Sequence, residues 1–163
     1  MDKIRNSLPL AASVLLILLW GYTGIAKLTD FASFRSAMQN QEIPLDWARI
    51  LAYVIPPVEL ALAGMLIMPK LRFWGLAGSM VLMTIFSTYV GLVYIGSFPV
   101  VPCGCAGIFQ DIGWGAHVLI NISFVLLALL GLWALNQKEM QAGTSPNSSL
   151  PTQRAGSFVM PEE

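Results

Sequence analysis

Residues 73–96 read FWGLAGSMVLMTIFSTYVGLVYIG, twenty-four residues without a formal charge. An α-helix rises ~1.5 Å per residue, so about 20 apolar residues cross a hydrocarbon core of ~30 Å. The run is continuous rather than alternating, which selects a helix over a barrel strand. Working outward, three more stretches qualify. Leu8 to Ala26 and Trp114 to Leu135 carry no charge, and Ile50 to Met68 carries one, Glu59. Between residues 73 and 137 the sole formal charge is Asp111. Over the whole chain of 163 residues, 56% are hydrophobic and 11% charged, against roughly 25% charged in a soluble domain. A water-soluble globule is excluded. Nine basic residues balance nine acidic ones, so no net field draws nucleic acid.

The expected architecture is all-α: a four-helix transmembrane bundle over residues 1–138, then a disordered cytoplasmic tail over 139–163, rich in Gly, Ser, Thr, Pro and Asn. Lys3 and Arg5 before the first run suggest a signal peptide, but that run is long for one and Gly21-Tyr22-Thr23-Gly24-Ile25-Ala26 is a poor cleavage site, so it reads as an uncleaved span. Residues 27–47 form the first outer loop. Phe31, Phe34 and Met38 recur there at helical spacing, with Asp30, Arg35 and Gln39 polar. That fits a short amphipathic helix, lying on the membrane or packed on the bundle, ended by Pro44.

Basic residues set the direction. Lys3, Arg5, Lys70, Arg72, Lys138 and Arg154 lie on one side, and Lys27, Arg35 and Arg49 on the other. Both termini are therefore expected in the cytoplasm of a bacterial inner membrane. The loop from Ser97 to Gly113 then faces outward.

That loop holds both cysteines, in Pro102-Cys103-Gly104-Cys105-Ala106-Gly107. Two virtual bonds of ~3.8 Å keep their Cα atoms within about 7 Å, at the limit for a disulfide. A bridge this tight closes almost no loop and staples the fold little, whereas strain makes it easier to reduce. An outward loop also meets an oxidising compartment. Redox exchange, a structural bridge and metal binding are the three readings. The last is the poorest, because two thiolates and one distant histidine make an incomplete zinc site.

Within the spans, Glu59 lies about 15 Å deep and follows Pro56-Pro57, which removes backbone donors and is expected to bend the helix. An ionisable group at that depth is a functional candidate, the alternative being a structural carboxyl. Lys27 ends the first span and either snorkels outward or reaches toward Glu59 across a gap in depth. His117, the only histidine, is the nearest base to the cysteine loop by sequence, or else a polar helix-end residue. Tyr22, Thr23, Tyr53, Thr88, Tyr89, Tyr94 and Asn121 fall in the same outer half. Gly21, Gly24, Gly64, Gly75, Gly78 and Gly91 read as close-packing positions.

Three motifs in order carry a resemblance. Gly24-Ile25-Ala26-Lys27-Leu28-Thr29-Asp30-Phe31 with Phe34, then Pro56-Pro57-Val58-Glu59-Leu60-Ala61-Leu62-Ala63-Gly64, then Cys103-Gly104-Cys105-Ala106-Gly107, resemble the MauE branch of the DoxX-like membrane proteins, over about residues 10–135. The family pattern has Phe where this chain has Ala106, and often a basic residue where it has Ile120. The resemblance implies a four-helix bundle similar to thiol-oxidising proteins such as vitamin K epoxide reductase. It also implies a part in methylamine utilisation, in processing, export or maturation of the disulfide-rich small subunit of methylamine dehydrogenase or a similar periplasmic protein. The site residues expected on this reading are Cys103, Cys105, Glu59, Lys27 and His117. Its partners are the lipid bilayer and a periplasmic client with cysteines. The electron acceptor stays open between a quinone and a second protein, such as a thioredoxin-like one. A non-catalytic membrane assembly subunit and a subunit of a quinone-linked oxidoreductase are the rival functions.

Overall fold

A computed structural model describes residues 2–41, 43–97 and 113–144. The chain forms helices α1 (Asp2–Thr29), α2 (Phe31–Gln39), α3 (Leu45–Ile67), α4 (Arg72–Tyr94) and α5 (Trp114–Thr144). The four long ones contain segments, Ser7–Thr29, Leu45–Ile67, Arg72–Tyr94 and Trp114–Gln137, long and apolar enough to cross a membrane. The protein is a multi-pass membrane protein of all-α architecture, as the charge-free runs predict. Helix α5 continues past residue 138, the expected end of the membrane domain, to Thr144. The rest of the expected tail lies outside the described residues.

Local chemistry sets the boundaries. Asp30 caps α2, its side chain accepting from the Ser33 N–H at 3.3 Å. Asn40, not Pro44, closes α2, donating its N–H to Ser36 O at 3.2 Å. Pro44 instead sits at the N-cap of α3, where a missing N–H costs nothing. Helix α3 continues through Pro56-Pro57, although neither can donate to the carbonyl four residues back. Helix α4 ends in a paired C-terminal motif. Gly96, at φ 77°, donates to Val93 O at 3.0 Å, and Ser97 donates to Leu92 O at 3.0 Å, so two otherwise orphaned carbonyls are satisfied.

The helices stand in a ring in the order α1, α3, α4, α5, with α1 and α4 on the diagonal. Lipid tails are as apolar as leucine, so association rests on close packing and buried polar contacts. Small residues supply the first. A methyl group at Gly24 would stand 3.0 Å from Leu60 Cδ2, and one at Gly78 would stand 2.7 Å from Leu62 Cδ2. One at Gly75 would meet Leu66 Cγ at 3.0 Å and its backbone N at 3.1 Å. Gly131, which the sequence did not single out, faces Ala12 and Leu76. Gly21, Gly64 and Gly91 do not pack closely; open space lies beside each. The core runs through Ala12, Leu16, Trp20, Leu62, Leu66, Leu76, Met83 and Ala128. The outward faces carry Leu18, Trp74 and Leu119, all close to two-thirds exposed, as a lipid-facing surface requires.

Helix α2 is a cap packed on the bundle. Phe34 is buried, and the Phe31 and Tyr53 rings lie 5.1 Å apart. The cap occupies a step between staggered helices. Gly24 is level with Leu60, yet α1 ends five residues beyond Gly24 while α3 begins fifteen before Leu60. Helix α3 thus overshoots α1 by about ten residues, ~15 Å, and α2 covers the difference.

Candidate functional site

Beneath the cap lies a cavity of about 360 Å³, bounded by α1, α2, the α2–α3 connection, α3, α4 and α5. Its wall is mostly apolar, and the polar exceptions include Thr23, Lys27, Glu59, His117 and Asn121. Three of the residues expected to form a site, Lys27, Glu59 and His117, therefore border one space, although they come from α1, α3 and α5.

In the cavity wall Lys27 Nζ donates to Glu59 Oε1 at 2.5 Å. The pair is direct, without the gap that counting from helix ends suggested, because the ends are staggered rather than level. Glu59 is fully buried and the Lys27 side chain is 8% exposed. The ammonium also stands 5.7 Å from the centroid of the Phe34 ring, within range of a cation–π attraction. Two lone charges here would each be costly; held together they are nearly neutral at a distance. Glu59 Oε2 and Thr23 Oγ1 are both buried, and the Thr23 hydroxyl is the second side chain placed to share a hydrogen bond with the carboxyl, in a geometry short of ideal.

Trp20, which borders the cavity, donates its indole N–H to Ser79 Oγ at 2.9 Å. That bond ties α1 to α4 across the diagonal. On the cap side Tyr89 Oη donates to Gln41 Oε1, linking α4 to the chain just beyond α2. His117 is buried, stacked on Trp114 at 6.3 Å between centroids. Asn121 lies one turn further along α5.

Sequence reasoning did not select Trp20 or Gln41. A signal existed for Trp20: tryptophans of membrane helices gather at interfaces, whereas this one lies well inside its span. For Gln41, in a loop, no such signal exists.

Cys103 and Cys105 lie outside the described residues. The chain that flanks them, Ser97 and Gly113, adjoins the ends of α4 and α5 that border the cavity through Tyr89, Val90 and His117. Among the described residues no three His, Cys, Asp or Glu side chains group as metal ligands.

A family model described as "Methylamine utilisation protein MauE" matches residues 5–134. No curated protein and no solved structure matches the chain.

Proposed function

The chain belongs to the MauE family of methylamine-utilisation proteins, and from that premise we propose that it is a disulfide-handling maturation factor of the bacterial inner membrane. Both termini lie in the cytoplasm, and the capped end of the bundle faces the periplasm. Its client is the methylamine dehydrogenase small subunit or a similar secreted protein with many cysteines.

The proposed chemistry is thiol–disulfide exchange. A client thiolate attacks the Cys103–Cys105 disulfide and forms a mixed disulfide. The client's second thiolate resolves it. The client leaves with a new disulfide, and Cys103 and Cys105 are left as thiols. Two electrons and two protons then pass to a quinone or to a second, thioredoxin-like protein. Lys27 and Glu59 shape the polar end of the cavity, and His117 carries a proton between that end and the cysteine loop.

The observation that supports this most is the buried Lys27–Glu59 pair in a cavity at the end of the bundle from which the cysteine loop springs. A purely structural anchor has no use for an open space beside a buried ion pair. The test is the Cys103→Ser/Cys105→Ser variant, with the redox state of periplasmic clients followed by thiol trapping. Clients accumulate in reduced form if the proposal holds. Clients oxidised as in the wild type defeat it and leave a non-catalytic assembly role.

A further inference from the structure

We infer that phospholipid headgroups settle onto the face of α2 that points away from the bundle, so that the leaflet at the capped end is thinned by ~8–9 Å beside α1.

Aromatic side chains mark where the bilayer ends, because Trp and Tyr gather at both membrane–water interfaces. On α4, Trp74 and Tyr94 are both more than half exposed and stand twenty residues apart. That is ~30 Å along the axis, one hydrocarbon thickness. On α5, Trp114 and Trp133 repeat the spacing to within one residue. Trp47, near the start of α3, is exposed as well, and the exposed Asp46 and Arg49 bracket it. The aromatic ring at the capped end therefore consists of Trp47, Tyr94 and Trp114.

Helix α2 lies inside that ring at both of its ends. Phe31, its first residue, packs on Tyr53 with 5.1 Å between ring centroids, and Tyr53 is six residues inward of Trp47, ~9 Å. Gln41, just past its last turn, meets Tyr89 Oη, and Tyr89 is five residues inward of Tyr94, ~8 Å. Two different helices thus give one depth, and α2 lies flat. Its Phe34 and Met38 face the cavity. Ser33, Arg35, Ser36 and Asn40 are exposed on the side away from it.

Lipid tails are a poor cover for that side. Hydrocarbon offers a guanidinium, hydroxyls and an amide no partner, whereas a phosphodiester accepts from all of them. Thinning a bilayer locally is a modest cost beside burying a charge in it. The fold leaves room for it, because α1 ends at Thr29 and no long helix stands over α2 there. Only α2 then separates headgroup water from Lys27, whose ammonium is 5.7 Å from the Phe34 ring. The inference needs neither the thiol chemistry nor the direction of the chain across the membrane.

The test is nitroxide labelling of the full chain in phosphatidylcholine–phosphatidylglycerol vesicles, in a Cys103→Ser/Cys105→Ser background. Ser36→Cys puts a label on the polar side of α2. Thr88→Cys puts one on the lipid side of α4, a turn from the exposed Ile85 and Leu92 and ~9 Å inward of Tyr94. Dissolved oxygen and nickel tethered to lipid headgroups together read the depth of each label. Position 36 is expected to read ~8 Å shallower than position 88, although both lie equally far inside the aromatic ring. Arg35→Leu is expected to deepen the reading at position 36 and to leave position 88 unchanged. Equal depths at the two positions would put lipid tails on α2 and overturn the inference. Shielding of position 36 from both nickel and oxygen would overturn it by putting a protein there. Access for a soluble nickel chelate but not for the tethered one would do so by leaving water alone over α2.

Discussion

Lys27 and Glu59 stand 2.5 Å apart although 32 residues separate them and their helices run in opposite directions. Helix geometry explains the meeting. Every Cα–Cβ bond of an α-helix tilts toward its N-terminus. Lys27, near the end of α1, leans back into the bundle. Glu59, in the second half of α3, leans toward the cap. Gly24, one turn before Lys27, would carry a methyl 3.5 Å from Glu59 Cβ, so the two helices approach closely at that level.

The pair is expected to be worth more as a pair than either member alone. Lys27→Met or Glu59→Leu leaves one buried group without its partner and is expected to destabilise the bundle by ~3–5 kcal/mol. The double variant Lys27→Met/Glu59→Leu removes both charges and replaces them with apolar volume, and is expected to recover most of that loss. Denaturant unfolding in mixed micelles reads both. Additive single and double effects would show that the contact is not coupled.

Glycine substitutions are expected to split by what faces them. Gly75→Ala presses on the backbone N of Leu66 as well as its side chain, and a backbone cannot turn aside. It is expected to cost ~1–3 kcal/mol. Gly64→Ala enters open space and is expected to be neutral or mildly stabilising, because alanine is the better helix former. Thermal unfolding of the two variants in one detergent decides the ranking, and equal midpoints would contradict it.

Sequence legibility tracked the physics of each feature. The spans were readable because a charge in hydrocarbon is costly everywhere along a helix, so its absence over residues 73–96 leaves no other reading. Pro44 was expected to end α2 and instead starts α3, and Asp30, read only as a polar position, caps α2, because a capping role depends on which neighbouring backbone the residue meets. The Lys27–Glu59 contact was only half readable. Both residues stood out by burial cost, but their distance depends on the ~15 Å stagger of α1 against α3, which no local pattern encodes. Gly131 was missed for the same reason: Gly21, Gly64 and Gly131 look alike along the chain, and only the neighbouring helix distinguishes a contact from open space. Cys103 and Cys105 stand out by spacing alone, and their part in the chemistry is carried by the resemblance and the proposed topology.

The diagonal bond from Trp20 to Ser79 is expected to matter through the donor it satisfies. Ser79→Ala leaves a buried indole N–H without an acceptor and is expected to cost ~1–3 kcal/mol. Ser79→Thr keeps the hydroxyl and is expected to cost less, despite added volume in a fully buried position. Denaturant midpoints for the two variants give the comparison, and a Thr variant weaker than Ala would assign the position to packing instead.

Topology is the condition on which the exchange chemistry rests, and two labelling sites decide it. In intact cells a membrane-impermeant maleimide is expected to reach Cys103 and Cys105 after mild reduction, since the loop after α4 is assigned to the periplasm. In a Cys103→Ser/Cys105→Ser background, Lys70→Cys in the turn between α3 and α4 is expected to stay unlabelled until the membrane is opened. The basic residues argue for this direction: Lys70 and Arg72 flank that turn, whereas residues 97–113 contain neither Lys nor Arg. Labelling of position 70 from outside, with the native cysteines protected, would put the cysteine loop in a reducing compartment. A disulfide donor on that side cannot reach periplasmic clients, so the maturation proposal would fail.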